Sequence, residues 1–169
     1  MIYRPIWSAS DNQDLATAIG DVILAWTQAE YDLVAMLAAM LDIPMNRASQ
    51  LYHKIPNFRG RVQVLYTLMA CTDVFEQFRP FISKLSSLSK TRNAIVHGAF
   101  IRAVEGLEIR RVRLDEPSES DNRSAVTKAH DIRQHADTVR ATCLAFNEAG
   151  SSIPAYKAWL GPHPSAPAS

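Results

Sequence analysis

Residues 81–97 read FISKLSSLSKTRNAIVH and are followed at once by Gly98. Ile82, Leu85, Leu88, Ile95 and Val96 recur at spacings that gather them on one face at about 100° per residue, which predicts a helix. Asp73 and Glu76 upstream resemble a capping pair. Pro80 either kinks a helix begun there or opens this one. Gly98 suits a C-terminal cap, so His97 falls in the last turn.

Upstream, Asp11 or Asp14 can cap a long first helix ending near Pro44. Its apolar arc holds Leu15, Ile19, Val22, Ile23, Trp26, Leu33, Val34, Leu37, Met40 and Leu41. A short helix over 45–54 is stopped by Pro56, and Phe58, Val62, Leu65 and Met69 stripe another. Downstream the period changes. Residues 99–104 and 107–114 flank Glu105–Gly106 and read as a small β-hairpin, an insertion at about 99–114. Asp115 to Ser124 reads as a polar loop, and a last helix over about 125–148 buries Ile132, Ala136, Val139, Cys143 and Phe146. The expected class is therefore all-α, a bundle of four to five helices.

The chain has 169 residues, a length that fits one domain over 1–150. Residues 151–169 are rich in Pro, Ala and Ser and are expected to form a loose tail. No unbroken apolar run approaches the ~18 residues of a membrane span, and 1–10 lack a signal pattern. The expected location is cytoplasmic, with no membrane partner. Cys71 and Cys143 sit at helical core spacings, with no disulfide framework to predict.

Net charge is near zero, but the charges are segregated. Residues 1–42 carry one basic side chain and six acids, 43–113 carry twelve and four, and 114–169 carry five and seven. The basic block surrounds the 81–97 helix and suits a polyanion such as RNA. The alternative is that folding mixes these charges with acids from both flanks.

Two charged residues fall on core faces. Arg92 lies within the apolar arc of its helix, and Glu30 lies among Ile23, Trp26, Leu33 and Leu37. Burying either charge alone is costly, so the pattern predicts a Glu30–Arg92 ion pair. Arg61 is a rival partner for Glu30, and snorkelling to the rim is the third choice. Asn93 and His97 are four apart and share one helix face, continued by Ser83, Ser86 and Lys90. Histidine is the side chain suited to proton exchange near neutral pH. Cleaving a phosphodiester benefits from one base and one acid. A twofold pairing of this helix would place two His97 and two Arg92 side chains in one cleft, with no metal needed.

Arg92–Asn93–Ala94–Ile95–Val96–His97 resembles the R-x4-6-H motif of the HEPN superfamily (higher eukaryotes and prokaryotes nucleotide-binding domains). The resemblance covers roughly 11–149 in helix order and the six motif residues by identity. It implies a four- to five-helix bundle, often a homodimer with the motif at the dimer cleft. Many members are metal-independent endoribonucleases of toxin–antitoxin or defence systems. By position, Arg92 and His97 would be catalytic, and Asn93 would belong to the catalytic set by assisting or orienting them. An antitoxin protein would be a further partner. Some toxins extend the motif to R-x4-H-x-Y, whereas this chain has Ala99 two residues after His97. Other members are non-catalytic modules that dimerise or bind a partner protein or nucleotide, so the fold alone does not make an enzyme.

The expected hairpin carries Arg102, Arg110, Arg111 and Arg113, which with Lys90 can hold RNA phosphates. They can equally keep a sheet edge from pairing with other chains. Tyr52, His53, Lys54, Phe58, Arg59 and Arg61 mix aromatic and basic groups as a single-strand surface does, though Phe58 also fits a core position. His130 and His135 are five apart, a poor spacing for joint metal binding, and His53 and His163 lack ligand-like neighbours. No metal site and no cofactor are expected, and there is no glycine-rich phosphate loop.

Overall fold

The computed structural model describes residues 4–5, 13–71, 73–97, 99–103, 106–110, 125–126, 128–154 and 156. Most of them are helical. The order is β1 (Arg4–Pro5), α1 (Gln13–Leu41), α2 (Met45–Lys54), α3 (Phe58–Met69), a 3-10 turn (Asp73–Phe78), α4 (Arg79–His97), β2 (Ala99–Ala103), β3 (Gly106–Arg110), β4 (Ala125–Val126) and α5 (Ala129–Gly150).

Helix ends follow local chemistry. α1 stops at Leu41 because Asp42 takes φ 51°, a left-handed conformation that Asp tolerates better than most residues. The Asn57 side chain accepts from the Gly60 N–H at 2.8 Å and so caps α3. Pro80 occupies the second position of α4, where its missing N–H costs nothing, so it opens this helix rather than kinking it. Glu76 binds Arg79 through two bonds of 2.6 Å, and this bidentate pair holds the Glu76 carboxyl below the usual range. The Lys128 N–H donates to the Asp131 carboxylate at 3.1 Å. α5 therefore begins at Ala129, later than the expected start near Ala125, and Ala125–Val126 are extended instead.

The chain separates into two compact units, each built from discontinuous segments. The first comprises 1–27 and 87–140, and the second 28–86 and 141–169. In the first unit the buried apolar residues are Leu15, Ala18, Val22, Ala25 and Trp26 of α1, Ile95 of α4, and Ile132, Ala136 and Val139 of α5. Arg133 pairs with Asp14, and Arg140 bridges Asp21 at 3.0 Å and Asp137 at 2.9 Å. The short strands also belong to this unit. They align in the order β1-β2-β3-β4 with each neighbouring pair antiparallel, and Arg102 stands opposite both Arg4 and Leu107.

The second unit has the larger core. Leu33, Val34, Met36 and Leu37 of α1 are buried, with Tyr52 of α2, Val62, Leu65 and Met69 of α3, Phe75 and Phe78 of the 3-10 turn, and Phe146 of α5. The start of the expected loose tail belongs to this core. Ile153 is 5% exposed and Tyr156 is fully buried. The Tyr156 ring lies 5.3 Å from Phe78 and 5.9 Å from Phe146, and its hydroxyl donates to Asn147 Oδ1 at 2.9 Å. An aromatic that finds three partners gains more from burial than the chain loses by ordering a few residues. The polar loop expected over 115–124, the turn residue Glu105, and the tail from 157 lie outside the described residues.

By length and composition α1 could cross a membrane, but 61% of its most apolar stretch is buried inside the protein, as in a core helix.

Candidate functional site

The Arg92–His97 segment forms the last two turns of α4. Ile95 anchors it, being 3% exposed. That burial fixes the rotation of the helix: Asn93 and His97 project into solvent, as does Lys90, while Arg92 and Val96 are half-buried.

Arg92 is held in two ways. Its guanidinium carbon lies 5.8 Å from the centre of the Trp26 ring, within reach of a cation–π contact. Its Nη1 donates to Asn93 Oδ1 at 3.0 Å. Its Nε is buried and has no hydrogen-bond partner among the described residues. Trp26 is 3% exposed, so the ring is a fixed wall rather than a mobile flap.

The expected Glu30–Arg92 pair is not the one Glu30 makes. Glu30 Oε1 accepts from Arg61 Nη1 at 2.6 Å, with the two side chains 25% and 15% exposed. Arg61 wins because it is fixed at three points within the second unit. It bonds Glu30, its Nε donates to the Ile55 carbonyl at 3.1 Å, and its guanidinium lies 4.8 Å from the Tyr52 ring centre. Tyr52 is 1% exposed, its ring packed against the Arg61 guanidinium. Burial raises the pKa of this phenol, Glu30 adds to the shift and Arg61 opposes it.

Of the residues expected to hold RNA phosphates, Lys90 is exposed on α4, and Arg102 and Arg110 lie in β2 and β3. Arg111 and Arg113 lie outside the described residues. The register adds Arg4, opposite Arg102 across the β1–β2 pair.

Two residues of chemical interest escaped the sequence reading, and a third, His135, was legible only as a poor metal ligand. Trp26 passed for one core aromatic among others. His135 is 9% exposed, its Nε2 has no hydrogen-bond partner among the described residues, and desolvation lowers its pKa. Asp32 is 1% exposed in the second unit, accepting from Gln28 at 2.8 Å and from Asn147 at 3.3 Å. A signal for Asp32 existed: it is a single acid in line with Ala29 and Met36 on the helix face of an apolar run. Cys143 is buried nearby, and burial first, then the Asp32 carboxylate, pushes its thiol up to about 12. Cys71 and Cys143 are both free thiols.

Comparison of the chain with family models, with curated proteins and with solved structures found no match.

Proposed function

We propose that this protein is a HEPN-like, metal-independent endoribonuclease of toxin or defence type, acting as a cytoplasmic homodimer. One observation carries the reading: at a single helix end, Arg92 is restrained by Trp26 and Asn93 while Asn93 and His97 stay in solvent. That is a restrained cation and an exposed proton carrier five positions apart on one helix, the two kinds of group that RNA cleavage uses.

In this reading a ribose 2′-hydroxyl attacks the adjacent phosphorus. His97 of one copy takes the hydroxyl proton, and His97 of the other protonates the departing 5′-oxygen. Arg92 stabilises charge on the phosphorane. The products are a 2′,3′-cyclic phosphate and a 5′-hydroxyl. Asn93 orients Arg92. In the same reading residues 99–114 form a hairpin insertion, and Arg102, Arg110, Arg111 and Arg113 join Lys90 in holding the strand. An antitoxin protein would restrain the activity.

The test is cleavage of several RNAs in EDTA by wild type and by His97→Ala, with folding checked by circular dichroism. Cleavage that leaves cyclic phosphate ends and is lost in the variant supports the reading. Equal cleavage by both proteins, or none by either, overturns it.

A second reading is favoured by the burial of Arg92 Nε. Here the protein is a non-catalytic helical module that dimerises or binds a partner protein or nucleotide, and Arg92 packs α4 against Trp26. Absence of cleavage by wild type would favour it.

A further inference from the structure

Residues 43–71 contain no Asp or Glu. Folding neutralises only part of the basic block around them. Arg61 is taken by Glu30 and Arg79 by Glu76. Arg47, Lys54 and Arg59 are exposed and make no ion pair among the described residues, and Asp42, the acid nearest them in sequence, pairs with none of them.

Two of these three cations stand where a helix disfavours them. Arg47 lies in the first turn of α2 and Arg59 in the first turn of α3, and neither turn holds an acid. A helix N-terminus carries positive potential, so a cation there is repelled. The same sum of charges attracts phosphate. Lys54 sits in the last turn of α2, where the dipole favours it. Arg47, Leu51 and Lys54 are spaced i, i+4, i+7 and share one exposed side of α2, while Ala48 and Tyr52 are buried. The two cations on that side are about 10 Å apart along the axis at 1.5 Å per residue.

We propose that the exposed side of α2 and the first turn of α3 form a second RNA-binding surface, on which Arg47, Lys54 and Arg59 contact the phosphates of a single strand. The inference rests on the proposed function for the choice of RNA as the polyanion, and goes beyond it in assigning a surface that takes no part in cleavage. The hold is electrostatic rather than by stacking, because Tyr52 is buried and Phe58 half-buried. A strand fits better than an anionic membrane. Leu51 is the one large apolar side chain exposed on α2, and Asn46, Gln50 and His53 are exposed around it, whereas a membrane-surface helix buries an apolar face.

The test is binding of a fluorescent 2′-O-methylated oligoribonucleotide, which resists cleavage, to the full chain by anisotropy over a range of salt concentrations. Each of Arg47→Gln, Lys54→Gln and Arg59→Gln should weaken binding about fivefold near 0.1 M salt and reduce the slope of log K against log salt by about 0.7, the share of one phosphate contact on a single strand. Lys128→Gln removes the same charge from an exposed position outside the surface and should leave both quantities unchanged. Gln50→Glu, which puts an acid on the exposed side of α2, should weaken binding. It decides the matter if an arginine variant fails to fold.

Unchanged affinity and slope in the three variants overturn the surface and leave the nuclease reading to its own cleavage assay. An equal loss in Lys128→Gln overturns it too, since net charge alone would then explain the binding. Failure of the parent to bind the oligonucleotide, with or without binding to phosphatidylserine vesicles, also overturns it. Binding that depends on these three residues supports the surface even if no RNA is cleaved, in which case the nuclease reading alone fails.

Discussion

Arg61 donates to Glu30 at 2.6 Å while its guanidinium lies 4.8 Å from the centre of the Tyr52 ring. One cation thus satisfies an acid that the helix pattern of α1 turns toward the core. Its own stem is fixed by the Ile55 carbonyl at 3.1 Å.

Removing the cation should therefore cost more than removing the acid. Arg61→Met leaves a partly enclosed carboxylate unpaired. It should destabilise the fold by about 1–3 kcal/mol, less than a fully buried pair would show because water still reaches Glu30. Glu30→Gln should cost less, and the double variant should lose less than the two singles combined. Urea denaturation of the four proteins measures this, and strict additivity would mean the pair contributes no coupling.

The segment after α5 should be needed for stability. Tyr156→Ala removes a fully buried aromatic and should cost about 3 kcal/mol or more. Gly150→Ala should destabilise by about 1–3 kcal/mol, because a Cβ there would clash with the Tyr156 ring and meet Phe78 at 3.1 Å. The thermal midpoints of both variants check this. A chain ending at Gly150 that melts like the full chain would contradict the packing.

The two thiols should react differently. Cys71 is exposed, whereas Cys143 is buried with its thiol pushed up to about 12, and the thiolate is the reactive form. At pH 8 a thiol reagent should titrate one group per native chain and two after denaturation. Cys71→Ser should abolish the native reaction.

His135 should make stability fall in mild acid. Desolvation lowers its pKa in the folded protein, so as pH drops below the unfolded value near ~6.5 the unfolded chain binds a proton first. The contribution is complete above that value and is lost as pH falls toward the folded pKa. The denaturation midpoint between pH 7 and pH 5 should decline less steeply in His135→Phe than in wild type.

The helix stripes were legible because burial follows a period of 3.6 residues. Val62, Leu65 and Met69 of α3, and Ile132, Ala136, Val139, Cys143 and Phe146 of α5, are buried as the spacing predicts. The orientation of the motif was legible for the same reason, with Ile95 inward and Asn93 and His97 outward. The burial of Ile153 and Tyr156 was not legible because Pro, Ser and Ala describe a tail by composition, while Tyr156 needs only a slot between two phenylalanines.

By itself the amino-acid order determined which faces of each helix turn inward, because side-chain direction repeats along a helix axis. It also set the position of the Arg92–His97 motif late in a helix, just before a glycine. Which charge meets which was decided only by tertiary structure. A wheel gives the angle of Glu30 but not what stands opposite, and Arg61 comes from a separate helix across 31 residues of chain. The seating of Arg92 on Trp26 has the same origin, since two residues 66 positions apart meet only when their helices pack.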